Sequence, residues 1–266
     1  MILALRTLSI ITPVLNAGET LERTIRSVAP QKTCEIEYIV VDGGSTDASR
    51  EIIDRNEAII DKLVSEPDRG IAHAMNKGIA LASGAFIGLL NADDVYQAGA
   101  LQKILAIIDR DPRFDVLYGD VAYYDPANGD TFVRHSNLAD IAKYMSLFHP
   151  AMFVRREAYQ NAGGYAEDYK LAMDSEWVHR ALALGLQFEH VPAVLATMSL
   201  GGVSHVNYRA AFSEFMNSAL SHGLISPLRA RAWWLRQVIL HTLLKSARVR
   251  RSWQAIGRIV RQDSKQ

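Results

Sequence analysis

The runs LSIITPV (8–14), IEYIVVD (36–42) and AFIGLLN (85–91) decide the fold. Each is short, β-branched and strand-like, and the segments between and after them, 18–31, 46–57 and 70–82, carry helical patterning. That alternation predicts βαβ units in a mostly parallel sheet. Two of the runs end on polar residues, Asp42 and Asn91, and each leads into a Gly-rich or acidic turn. Ligands of open α/β sheets bind beyond the carboxyl ends of the strands, so these tips mark the candidate site. Past about residue 112 the pattern is less regular. Strands are expected near 115–121, 150–155, 187–191 and 194–200, with a helix from about 174 to 185. Pro227 follows a helix stop at Gly223 and opens a basic, helical last segment.

Composition narrows the functional classes. The 266 residues include 29 Lys+Arg, 29 Asp+Glu and a single cysteine, with 49% hydrophobic residues. This is a globular composition, and it excludes disorder, collagen and a disulfide scaffold. The start, MILALRTLSIITPV, lacks a charged leader region and a small-residue cleavage site, and no run of 18 apolar residues occurs. A cytoplasmic protein is expected, without a membrane span. The zero net charge conceals an asymmetry: residues 1–220 hold 19 basic and 28 acidic side chains, residues 221–266 hold 10 and one.

Three segments carry the chemistry. In VVDGGSTDAS (40–49), Asp42 stands at a strand tip before Gly43 and Gly44, and Ser45, Thr46 and Asp47 are helix-cap candidates. A capped strand-to-helix turn accounts for this pattern; so does a carboxylate accepting a ring N–H of a bound base. In LLNADDVY (89–96), the adjacent carboxylates Asp93 and Asp94 repel each other unless a cation or a helix N-terminus compensates. Oxygen ligands in such small number suit Mg²⁺ or Mn²⁺ held partly by substrate phosphates. In SEPDRGIAHAMNKGIALASG (65–84), Arg69 precedes a helix that begins near Gly70 and carries Asn76 and Lys77, a placement suited to a phosphate.

Together with ITPVLNAGETLERTIRSV (11–28), these segments resemble, in order and spacing, the family 2 glycosyltransferases of the GT-A fold. The resemblance extends over roughly 8–205, because AGGYAEDYKLAMDSEWVHRAL (162–182) and GGVSHVN (201–207) are similar to that family's acceptor-side motifs. It implies a GT-A catalytic domain over 1–226, with a nucleotide-sugar half to about 112 and an acceptor half from 113, followed by a helical tail over 227–266. It further implies that Thr12, Pro13 and Asn16 line the nucleotide pocket, with Asp42 on the base beside Gly43, Gly44 and Ser45. Arg69 and Asn76 would lie near the diphosphate or sugar, Asp93 would hold a divalent metal with Asp94 supporting that site, and Asn91 would contact the substrate. Two departures stand out: Ala72-His73 replaces the family's frequent Tyr-Asp, and Asn91 replaces an Asp at the head of the acidic motif.

For the catalytic base the sequence offers Asp174 and Glu176, two apart and therefore on different helix faces. Asp174 matches the family's acid at a helix start, where the helix N-terminus favours the carboxylate form a base needs. His149 and His205 are candidate metal or phosphate partners. The implied reaction is inverting transfer from a nucleotide diphosphate sugar, a UDP-sugar favoured, to a hydroxyl of a glycan or lipid-linked oligosaccharide in polysaccharide biosynthesis. The rival classes are a sugar nucleotidyltransferase, which needs more glycine than LNAGETLERT supplies, and a decayed membrane-surface binding protein. The tail carries Trp233, Trp234 and Trp253 among nine Arg/Lys over 229–261, which suits an anionic membrane surface. A helical hairpin packed on the core is the competing arrangement. Nucleic acid is not expected, because no recognised binding motif accompanies the basic residues.

Overall fold

The computed structural model describes residues 7–111, 113–200, 207–233 and 235–236. His205, Trp234, Trp253 and the tail from 237 onward lie outside the described residues. The chain divides into two compact units, Met1–His222 and Gly223–Gln266.

In the first unit the three deciding runs form β1 (Leu8–Val14), β2 (Ile36–Asp42) and β4 (Phe86–Leu89), and Lys62–Ser65 adds β3. The order β3-β2-β1-β4 is parallel throughout. The sheet continues through β8 (Met152–Arg155), β6 (Val116–Tyr124), β9 (Phe188–Ser199) and β5 (Val95–Tyr96), while β7 (Thr131–Arg134) pairs with β6. Because β8 runs antiparallel to both β4 and β6, and β9 runs parallel to β6, the strands β6 and β9 share the direction of β1 to β4. Only β5, β7 and β8 run against it. The expected mostly parallel α/β sheet is therefore present, with the reversed β8 joining its two halves.

Burial explains why β1 and β2 read as continuous apolar runs. Leu8, Ile10, Tyr38 and Val40 belong to a core on one face, while Ile11, Ile39 and Val41 belong to a second core on the other. Strands covered on both faces have no solvent side to make polar. The first face is closed by α1 (Leu21–Val28), α2 (Ser49–Arg55) and α4 (Ala100–Arg110), the second by α3 (Ile71–Leu81), α5 (Arg156–Ala162) and α6 (Met173–Ala183). Helix α1 shows the pattern in its simplest form, burying Leu21, Thr24, Ile25 and Val28 at helical spacing. Helix α7 (Tyr208–Ser221) packs on α6, where Ser218 and Ile141 O flank the buried His179 ring. Gly223, at φ +72°, supplies the left-handed residue that ends α7, and residues 227–233 of the second unit are helical.

Candidate active site

At the carboxyl end of β4 the chain turns through Asn91 to Asp94, with Asp94 N–H donating to Asn91 O at 3.1 Å. The turn is held by its backbone. Arg23 donates to Asp93 O at 2.6 Å, Thr24 Oγ1 to Asp94 O at 2.8 Å, and Ser199 Oγ to Asp93 O at 3.1 Å. Among the described residues no hydrogen bond reaches the half-buried Asp93 carboxylate from the protein. Asp94 differs. It is 2% exposed, and burial first, then the charge of Asp93, push its carboxyl well above the usual carboxylate range, against a Ser199 N–H bond and Arg23. Asn91 Oδ1 and Asp94 Oδ2 are buried acceptors with no hydrogen-bond donor. A free carboxylate beside two unsatisfied buried oxygens fits a divalent cation. No three His, Cys, Asp or Glu side chains among the described residues could hold one unaided, so ligand oxygens must complete its shell.

The loops after β1 and β2 are knitted into one floor. Asn16, at φ 50°, adopts the left-handed backbone that Asn tolerates, and its Oδ1 accepts Thr46 N–H at 2.9 Å. In return Ser45 Oγ accepts Asn16 N–H at 2.9 Å, Ser49 Oγ accepts Ala17 N–H at 2.8 Å, and Asp47 accepts Gly18 N–H at 2.8 Å. α2 starts later than expected, after Ala48: Ser45 and Thr46 tie the two loops together instead of capping it, while Asp47 does both, its Oδ1 accepting the N–H of Ser49, the first residue of α2, at 3.0 Å. Thr12 and Pro13 also differ from expectation. Both are buried within β1, opposite Val40 and Val41, and Thr12 Oγ1 accepts the Tyr38 hydroxyl at 3.1 Å, so they support the floor from below.

Asp42 is 1% exposed, and its oxygens accept Ser45 N–H at 3.0 Å and Ser65 Oγ at 2.6 Å. Burial raises its pKa, but the bonds from Ser45 and Ser65 and the charge of Arg50 outweigh that and hold it below the usual range. Gly44 has φ +88°, so this turn requires a glycine there, and a Cβ on Gly43 would come within 2.7 Å of Asp68 Oδ2 and displace that side chain.

Helix α3 starts after Gly70, as expected, but its polar side chains have protein partners. Arg69 forms a two-point pair with Glu167 at 3.0 and 2.9 Å. Asn76 exchanges hydrogen bonds with the Tyr165 backbone, both at 2.8 Å, which pins the 163–166 segment to α3. Lys77 bridges Asp68 at 2.7 Å and Glu66 at 2.9 Å.

On the acceptor side, Asp174 is not the cap of α6, which is Ala172, but lies two residues past it in the first turn, and its Oδ1 accepts Ser175 N–H at 2.7 Å. Its Oδ2 stands 3.9 Å from His149 Nδ1. His149 Nε2 is buried without a hydrogen bond, and burial lowers the ring's pKa against the opposing pull of Asp174 and Asp93. Glu176 faces elsewhere. It is buried, paired with Arg180 at 2.8 and 2.9 Å and with His222 at 3.1 Å, and so has a structural position. The segment preceding Asp174 is fixed by Glu214 of α7, which accepts the backbone N–H groups of Lys170, Leu171 and Ala172 at 2.8 to 3.1 Å. Sequence reasoning missed Glu214, as it missed Arg23, Thr24 and Ser199, because their partners lie between 42 and 176 residues away along the chain.

The profile of Glycosyl transferase family 2 matches residues 9–167, which spans both the nucleotide-side loops and the acidic turn. The chain belongs to the family 2 glycosyltransferases. Among relatives of this glycosyltransferase, the PGL/p-HBAD biosynthesis glycosyltransferase of Mycobacterium tuberculosis is 31% identical over 209 residues, covering 74% of this chain and 78% of the relative. An uncharacterized glycosyltransferase of the same species is 32% identical over 216 residues, covering 78% and 81%. Among solved structures, S. aureus TarS 1–349 in complex with UDP-GlcNAc superposes with a TM-score of 0.68 at 18% identity, over 91% of this chain and 74% of that one. The mannosyltransferase PcManGT from Pyrobaculum calidifontis, in complex with GDP-Man and Mn²⁺, gives 0.59 at 17% identity, over 93% and 83%. The chain spans 39% of a longer TarS chain. At these identities the structural likeness is one of fold, and the fold is GT-A.

Proposed function

We propose that this family 2 glycosyltransferase is an inverting enzyme that moves a sugar from a nucleotide diphosphate sugar, a UDP-sugar favoured, to a hydroxyl of a glycan or lipid-linked acceptor. The observation that carries the reading is a pair of acidic groups with different surroundings: Asp93, whose carboxylate accepts no hydrogen bond among the described residues, and Asp174, 3.9 Å from His149. The base would rest on the floor made by Asn16 and the 42–45 turn, with the buried Asp42 holding that turn through Ser45 and Ser65 next to the base. Asp93 would hold Mg²⁺ or Mn²⁺ together with the diphosphate, supported by Asn91 and Asp94. Bound there, the cation would supply charge stabilisation for the departing nucleoside diphosphate.

Asp174 then removes the acceptor hydroxyl proton as the hydroxyl oxygen bonds the anomeric carbon from the face opposite the leaving group, which inverts the centre. His149, whose pKa burial lowers, flanks Asp174 at 3.9 Å. Arg69 and Asn76 act one step back from the ligand, through Glu167 and the Tyr165 backbone. The nucleotidyltransferase alternative has no matching feature here, since the loop after β1 is closed by Ser45, Asp47 and Ser49. The donor is tested by thermal shift with UDP-, GDP- and dTDP-sugars plus Mn²⁺, because a ligand of the native state raises the melting point by linkage. A rise confined to one nucleotide, and dependent on Mn²⁺, is the expected result; no rise with any of them contradicts it.

A further inference from the structure

The hairpin of β6 and β7 carries an aromatic pair that the donor chemistry leaves unused. Tyr123 and Phe132 are register partners, so their side chains share a face, and their rings stack at 5.6 Å with 22° between planes. Tyr123 also meets Phe148 edge-on at 5.9 Å. Phe148 precedes His149, whose ring lies 3.9 Å from Asp174. The pair is thus linked to the proposed base through the consecutive residues Phe148 and His149. Phe132 is 44% exposed, although a ring of this size has a strong drive to leave water. All four residues of β7 are exposed, and among the described residues β7 pairs with β6 alone.

We propose that the Tyr123–Phe132 pair is the acceptor platform, on which a flat ring with an apolar face, the C–H face of a sugar or an aryl group, stacks while its hydroxyl reaches Asp174. This rests on the assignment of Asp174 as the base. An aromatic stack is suited to the task because it gives area and orientation to an uncharged ring without competing for the diphosphate. Ring binding at a distance from the reacting oxygen also orients that oxygen for attack.

The test titrates two probes, methyl β-D-glucopyranoside and p-nitrophenyl β-D-glucopyranoside, onto the full chain with and without UDP and Mn²⁺, read by NMR. Phe132→Ala should weaken binding by roughly five-fold, the scale of one aromatic stacking contact, while Phe132→Trp restores it. Loss for both probes identifies the sugar ring as the stacked group; loss for the nitrophenyl probe alone identifies an aryl group; either supports the platform. Phe132→Ala binding both probes as the wild type does overturns it, and so does a wild type that binds neither. UDP affinity, measured in the same samples, reports whether Phe132→Ala is folded. Its absence in the wild type would count against the donor reading and not against the platform.

Discussion

Asp93 and Asp94 are sequence neighbours with opposite surroundings. The first has a carboxylate that accepts no hydrogen bond among the described residues, and the second is buried with its pKa driven up by burial and by Asp93. Adjacency in NADD announces an acidic turn, but which of the two is sealed depends on the approach of Ser199 and Thr24 from distant elements. Asp42 teaches the same lesson from the other direction. Its strand-tip position is legible in the sequence, whereas its near-complete burial and its bond to Ser65 are not, because β3 carries too little apolar pattern to be recognised. Asp42→Ala should weaken nucleotide binding by roughly 1–3 kcal/mol, through loss of the bonds that shape the 43–45 turn and of the acceptor itself. Calorimetry with UDP checks this, and an unchanged affinity would remove Asp42 from the base site.

At the scale of elements, β1, β2 and β4 are readable as short apolar runs because they are buried on both faces, and α1 because it buries Leu21, Thr24, Ile25 and Val28 at helical spacing. The second half was harder. Strands β5 and β7 are two and four residues long and derive their stability from partners, β9 and β6, that no local pattern reveals. The contact of α6 with α7 contains the buried His179, whose pKa is lowered to about 4 by burial, with His222 adding to the effect and Ile141 O and Glu176 opposing it. Since the unfolded chain holds that proton up to an ordinary value near 6.5, its stabilising effect is complete above that pH and is lost as pH falls toward 4. The loss amounts to roughly 3 kcal/mol at most. Denaturant unfolding between pH 7.5 and 4 should show this slope, and His179→Gln should remove it. An equal slope in both proteins would place the acid sensitivity elsewhere.

For the whole molecule, charge is divided unequally along the chain: the last 46 residues hold ten basic side chains and one acidic, and the remainder is net acidic. We propose that this tail docks on an anionic membrane surface. No helix among the described residues is long and apolar enough to cross a bilayer. Each basic residue near such a surface contributes roughly 1 kcal/mol, screened beyond about 8 Å at physiological salt. The full chain should co-sediment with anionic vesicles at low salt and release at high salt, while a truncation after Ser226 should remain unbound; vesicle binding that survives truncation would contradict the docking role. The transfer reaction itself is tested most directly by nucleoside diphosphate release from a UDP-sugar with Mn²⁺, alongside UDP affinity, in wild type, Asp93→Asn and Asp174→Asn. Asp93→Asn should lose the Mn²⁺-dependent part of UDP affinity, and Asp174→Asn should keep UDP affinity while release falls by roughly 10²–10⁴-fold. Release at the wild-type rate from Asp174→Asn would contradict its role as the base.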